Sequence, residues 1–159
     1  SFEHIPDPDK TIQKLAKHTA NGGVVYIAIP NRSSFQYKLF RKHWLHLDPE
    51  WHLHFIRPSV LKSRMKKEGF EFIKAKHFHP VQNIPGFILS THNIFTKNRD
   101  VLFNLLKDKK KLKKVGGLLS FIVLGIFSAI LFVPAIIEEI MATLFRRGAT
   151  IDMIFRKKD

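Results

Sequence analysis

The chain contains no cysteine, which excludes disulfides, thiolate zinc sites and a cysteine nucleophile. Acidic residues are scarce: 13 Asp and Glu stand against 27 Lys and Arg in 159 residues, a net charge of +14. That imbalance favours an anionic partner. Nucleic acid and an anionic membrane surface attract through the same long-range term, so charge alone leaves both open. No secretory signal is expected, because Asp7-Pro8-Asp9 arrives before any basic segment or apolar run. No internal repeat is present. Charge is missing altogether from residues 115–137, about 23 residues that would reach roughly 35 Å if helical, the length of a membrane span.

What is present is organised around residues 21–31. Val24 to Ile29 is a nearly unbroken β-branched and aromatic run between Gly22-Gly23 and Pro30-Asn31, which reads as a strand buried on both faces of an α/β sheet. Ligands collect beyond the carboxyl ends of such strands, so Pro30 and Asn31 mark a candidate site. Before it, residues 1–5 read as the end of a strand, and Asp7-Pro8 opens a helix whose buried face is Ile12, Leu15, Ala16 and Thr19. After it comes a long aromatic connection, 32–56, with a short helix at 35–42. Pro58 to Gly69 reads as a second amphipathic helix, and 70–78 as an edge strand guarded by Lys74 and Lys76. Residues 80–96 read as loop. Asn98 caps a helix with a stripe of Leu102, Leu105 and Leu106 that runs into six lysines between 107 and 114. Pro134 is expected to divide the uncharged run, starting a new helix with Glu138 and Glu139 in its first turn, Arg146 and Arg147 in its last, and Gly148 at its end. Residues 150–155 read as a closing strand.

Several of these pieces, taken in order, resemble the carboxyl-terminal half of a class I S-adenosylmethionine-dependent methyltransferase, of the broad group that includes the ubiquinone-biosynthesis O-methyltransferases. Phe2-Glu3-His4-Ile5-Pro6-Asp7-Pro8 is similar to the segment leaving strand four. Gly22-Gly23, the run to Ile29 and Pro30-Asn31 are similar to strand five and its flanks. Trp44, Leu47-Asp48-Pro49, His52-Leu53, Phe55 and Gly69-Phe70 continue the series. The resemblance implies an α/β fold: a partial Rossmann-like sheet with the end of strand four and strands five, seven and six, strand seven antiparallel, and a helical apolar insertion before the last strand. It divides the chain into a core half at 1–79, a basic and apolar helical insertion at 80–148, and the last strand with its basic tail at 149–159. The Gly-rich loop and the acidic residue that hold the cofactor in this family have no counterpart in this sequence. One edge of the 24–29 strand would then lack a neighbour, so the chain by itself is expected to aggregate or stay partly molten and to bind S-adenosylmethionine negligibly.

The resemblance also implies the site. Glu3 and His4 leave strand four beside Pro30 and Asn31, with Glu3 and His4 toward the cofactor and Pro30, Asn31 and Trp44 toward the acceptor. Methyl transfer to a hydroxyl needs alignment and a base, and an imidazole titrating near neutrality suits that base, so His4 and His52 are the candidate catalytic residues. The alternative is that Glu3 and His4 merely cap the next helix. Trp44 and Trp51 are candidates to close over an acceptor, although aromatics in such connections more often pack. Six histidines, at 43, 46, 52, 54, 77 and 79, invite a zinc reading. Without cysteine it is disfavoured, and no metal is expected.

A polybasic run abutting a long uncharged one is the arrangement that holds a protein to an anionic membrane. Lys109, Lys110, Lys111, Lys113 and Lys114 are the candidate surface contacts, and Phe121, Phe127 and Phe132 the candidate apolar ones. A single crossing by 115–137 would strand the closing strand on the wrong side. The expectation is therefore a helix dipping into or lying along one leaflet, in a cytoplasmic protein that is peripheral or monotopic on the membrane. The function expected is part of an S-adenosylmethionine-dependent methyltransferase acting on a small or lipid-linked hydroxyl compound. A noncatalytic membrane-associated α/β module and an RNA methyltransferase are the alternatives, the latter without an RNA-binding motif to support it.

Overall fold

The computed structural model describes residues 2–48, 52–96, 101 and 117–159. Its centre is a three-stranded sheet of β1 (Val24–Pro30), β2 (Phe70–Lys76) and β3 (Thr150–Lys157) in the order β1-β3-β2. The last strand in sequence is the middle one in space. It is antiparallel to both neighbours, with Ile27 opposite Met153 and Phe72 opposite Phe155. Strands five, seven and six of the expected methyltransferase sheet are thus present in that order, and the fold is α/β.

Helix α1 (Pro8–His18) begins where Asp7 caps it, its carboxylate accepting from the Lys10 N–H at 3.0 Å, with Pro8 at the first position where no N–H is needed. Its buried Ile12 meets Leu61 and Met65 of α3 (Pro58–Lys67), and together they cover Ile27, Ile29, Met153 and Phe155 on one face of the sheet. Burying side chains of this size stabilises by about 1.5–3 kcal/mol each, and this cluster is the main core. A positive φ of 82° at Gly69 turns the chain from α3 into β2. Residues 2–4 form a 3-10 turn rather than the end of a strand, and Phe2 anchors that turn in the core.

Two expectations about the later chain are corrected. Residues 80–96 are not loop but mostly helix α4 (Pro80–Phe95), with Pro80 at its start and Pro85 inside it. Helix propensity is low there, and tertiary contacts decide the outcome: Ser90 Oγ accepts from the Leu45 N–H at 2.8 Å, and His43 Nδ1 meets the Asn93 carbonyl at 2.8 Å. Nor does Pro134 divide the apolar segment, because α5 runs unbroken from Gly117 to Leu144. The reason is periodicity. Ser120, Leu124, Phe127, Ser128, Leu131, Ala135, Glu138, Glu139 and Ala142 stay in register as its inward stripe through the proline. Glu138 and Glu139 consequently lie inside a helix and not in a first turn. The helix ends at Leu144, and Arg146, with a positive φ of 55°, turns the chain toward β3. Gly148 serves elsewhere: a Cβ there would run into the His77 carbonyl.

Helix α5 is inside out for a water-soluble protein. Serine, alanine and glutamate make up much of its inward face, while Leu119, Ile122, Val123, Ile126, Ile130, Val133, Ile137, Ile140 and Leu144 point outward and are exposed. It packs antiparallel on α4, with Ser128 beside His92 and Glu139 beside Asn83, and α4 in turn packs on α2 (Phe35–Phe40) and the 3-10 turns after it. Among the described residues the outermost layer of this side is therefore an apolar face about 40 Å long.

Candidate active site

Pro30 and Asn31 sit at the carboxyl end of β1, and the Phe2–His4 turn is held against that strand. The backbone N–H groups of Leu53 and His54 both donate to the Glu3 carbonyl, at 3.0 and 3.3 Å, which pins the 52–54 segment beside Glu3. The side chains then converge. Glu3 Oε1 is 3.8 Å from His52 Nε2 and 3.9 Å from His4 Nε2, and the two imidazoles meet edge to face at 4.8 Å. His52 Nδ1 lies 2.7 Å from the His46 carbonyl. A carbonyl can only accept, so Nδ1 carries a proton, and Nε2 is the ring nitrogen that faces the Glu3 carboxylate.

This cluster borders a cavity of about 410 Å³ whose lining includes Glu3, His46, His52, Pro30, Leu89 and Thr150. Glu3 is buried, and among the described residues its Oε2 has no hydrogen-bond partner. A buried orphan carboxylate oxygen is unfavourable unless a donor or a cation completes it. That geometry suits a cationic group or a hydrogen-bond donor, with Glu3 and His52 as the members of the cluster that line the cavity. It fits a metal less well. The ligand atoms of Glu3, His4 and His52 lie within 4.8 Å of one another, whereas a tetrahedral zinc set needs about 3.3 Å between neighbours.

Residues 1–75 match the family model of a methyltransferase domain. The match supports reading this part of the chain as similar to part of a methyltransferase domain. It does not single out the ubiquinone O-methyltransferase group. No curated protein matches the sequence. Among solved structures, a candidate sarcosine dimethylglycine methyltransferase from Galdieria sulphuraria aligns with 99% of this chain at 16% identity and a TM-score of 0.48. This chain spans about half, 50%, of that one.

The other expected site residues fare differently. Pro30 lines the cavity, but the Asn31 side chain is spent within the fold. Its Nδ2 donates to the Gly148 carbonyl at 2.9 Å, and its Oδ1 accepts from the Ser33 N–H at 3.0 Å. Trp44 is wholly buried, edge to face with Tyr37 and His46 at 5.4 and 5.2 Å, so it packs the wall behind the cavity and presents no face to an acceptor. Phe121 and Phe132 are exposed on α5, whereas Phe127 turns inward against His92 and Phe95. Lys109, Lys110, Lys111, Lys113 and Lys114, Trp51 and the Leu102 stripe lie outside the described residues.

Sequence reasoning missed a buried polar network behind the cavity. Glu139 accepts from the His79 N–H at 2.6 Å and from Asn83 Nδ2 at 2.8 Å, while Asn83 Oδ1 accepts from the Thr150 N–H at 3.0 Å. Gln36 Nε2 donates to Glu138 at 2.8 Å. Burial pushes the Glu138 carboxyl up to about 7, with Glu139 adding to the effect, and raises Glu139 as well. His46 is pushed down to about 4, chiefly by burial, with His52 and His79 beside it adding to the effect. Two adjacent acids within an apolar run were the available signal.

Proposed function

We propose that this chain supplies the acceptor side of an S-adenosylmethionine-dependent methyltransferase that works at an anionic membrane surface on a small or lipid-linked hydroxyl compound. The observation that carries the chemistry is the Glu3–His52 pair at the cavity edge. When bound, S-adenosylmethionine supplies a methyl group on a cationic sulfur; the carbon–sulfur bond breaks as the carbon–oxygen bond forms. His52 Nε2 takes the proton that the hydroxyl gives up, and Glu3 beside it stabilises the resulting imidazolium. The hydrogen bond from Nδ1 to the His46 carbonyl holds the ring in the productive tautomer. His4 packs against His52 and limits its swing.

The outward face of α5 supports the membrane part. Apolar side chains cover the helix where a soluble protein would carry charge, and polar ones glue it to α4, the distribution found where lipid is the solvent. A single crossing is excluded by topology, since β3 must return between β1 and β2, which both precede the helix. The protein is thus peripheral or monotopic on its membrane, with α5 lying along one leaflet. A second copy as the covering partner is disfavoured by charge: each chain carries +14 and the apolar face is bracketed by Arg146 and Arg147 and, in sequence, by the six lysines.

The test is transfer of isotopically labelled methyl from S-adenosylmethionine by the intact protein into a membrane lipid extract. Label in an organic-soluble ether product, lost in His52→Ala, is the expected result. Label in RNA with none in lipid would reject the acceptor class, and no transfer to either with no cofactor binding would reject the enzyme.

A further inference from the structure

A second cavity, of about 990 Å³, opens beside the carboxyl end of β2, and Arg57, Lys62, Lys74, Lys76 and Arg146 all line it. No carboxylate does. Among the described residues none of these five forms an ion pair, and Lys62 instead lies over the Phe72 ring, its Nζ 3.6 Å from the centroid. Two of them act on His77 in the same wall: burial first, then Arg146, the neighbouring Arg147 and Lys62, hold that imidazole below its usual range. Like charges gathered around one groove repel, and an anion between them removes the repulsion.

The groove is also partly apolar. Ile73 and Phe78 line it and are exposed, and Thr143 and Arg146 bring it to the end of α5, where Leu144 and Phe145 are exposed too. Cations thus adjoin the outward apolar face with no acidic residue between them in the lining. A nucleic acid would meet the same charges, but it would want a tract of stacking rings along the groove, and the apolar residues here lead away toward α5.

We propose that this groove binds the phosphate group of an amphiphile, with Arg57, Lys74, Lys76 and Arg146 toward the phosphate oxygens and the hydrocarbon chain over Phe78, Leu144 and Phe145. The proposal rests on the membrane-surface part of the function above and adds a defined headgroup site to it. The phosphate belongs either to an anionic lipid or to free phosphate, and the test separates these sources.

The intact protein is titrated calorimetrically with monomeric dihexanoylphosphatidylglycerol, with inorganic phosphate, and with dihexanoylglycerol, which has the same chains and no phosphate. Saturable binding of the phosphatidylglycerol at least about tenfold tighter than inorganic phosphate, with none for dihexanoylglycerol, is expected. Comparable binding of inorganic phosphate also supports the site and assigns it to free phosphate. Lys74→Gln/Arg146→Gln, and separately Lys74→Gln/Lys76→Gln, should weaken binding about tenfold or more, while Lys10→Gln/Lys14→Gln on α1 should leave it within about twofold. The His77 ring, followed by NMR, should titrate at higher pH once phosphate is bound. Equal losses in groove and control variants, or single-stranded RNA binding that depends on the groove when the lipid probe does not bind, overturn the proposal. Flotation on anionic liposomes, measured in parallel, keeps the readings apart: probe binding without flotation leaves the groove standing and removes the membrane, and flotation without probe binding does the reverse.

Discussion

At the scale of single residues, the chemistry turns on which imidazoles keep an available lone pair. The His52 Nδ1 is held by the His46 carbonyl at 2.7 Å, which leaves Nε2 for the proposed proton transfer; His46 itself is buried against Gly86, where an added Cβ would lie 3.0 Å from its Nε2. His52→Ala is expected to lower kcat by about 10²–10⁴ while leaving cofactor affinity within about twofold, since general-base terms have that size. Radiometric turnover and calorimetry on the intact protein check both halves, and an unchanged kcat would remove His52 from the chemistry. Glu138 makes a different prediction. Its folded value of about 7 lies above the ordinary 4.5, so the folded state holds a proton that the unfolded state releases between those pH values. Stability should therefore fall as pH rises from 4.5 toward 7 and level off above it. Because Glu138 is only partly buried, the loss is on the order of 1–2 kcal/mol after solvent screening. Glu138→Gln should flatten that slope in urea titrations run across the range, and an unchanged slope would show that the carboxyl ionises freely in the folded protein.

Among the elements, the three strands and the first three helices were legible because their signals are local. Gly22-Gly23 and Pro30-Asn31 bound β1, Asp7-Pro8 starts α1, and Pro58 with Gly69 brackets α3. Glu3, His4, His52 and Pro30 were named by their order along the chain; Glu3, His52 and Pro30 line one cavity, and His4 lies against His52. What escaped were elements whose reasons are tertiary. Helix α4 carries two prolines and a central glycine, and only its contacts with Leu45, His43 and α5 make it helical. Asn31 was a candidate because it follows the carboxyl end of β1, and Trp44 because an aromatic ring could close over an acceptor, yet each side chain is enclosed by neighbours that only the fold supplies. Pro134 looked like a boundary because the inward stripe of α5 contains serine and glutamate, which a search for a water-facing pattern assigns to the wrong side. Pro134→Ala tests the continuous helix. Proline in a helix interior is unfavourable by roughly 3 kcal/mol relative to alanine, so the change should raise stability, by about 1–3 kcal/mol with α5 intact, as a higher urea midpoint. A proline at the first turn of a separate helix would give no gain. Gly148→Ala should do the opposite, lowering stability by about 1–3 kcal/mol, because its Cβ meets the His77 carbonyl and backbone must shift.

For the molecule as a whole, the proposed membrane attachment would have two separable contributions, the apolar face and the excess charge. Along α5 the outward side chains from Leu119 to Leu144 provide contact area that salt does not screen, while the six lysines of residues 107–114 provide attraction of about 1 kcal/mol each near an anionic surface, and that part is screened. Flotation of the intact protein with vesicles containing phosphatidylglycerol should therefore be strong at low salt and should weaken, without vanishing, at about 1 M salt, where the Debye length is near 3 Å. Replacing the six lysines by glutamine should reduce low-salt flotation to the high-salt level and make it insensitive to salt. Substituting Ile126 and Ile130 by asparagine, both exposed on the outward face, should instead abolish the residual high-salt flotation and keep the salt-sensitive part. The two variants must differ in this way if α5 inserts. If both lose flotation in parallel at every salt concentration, the attachment is electrostatic throughout and the outward face of α5 is covered by protein.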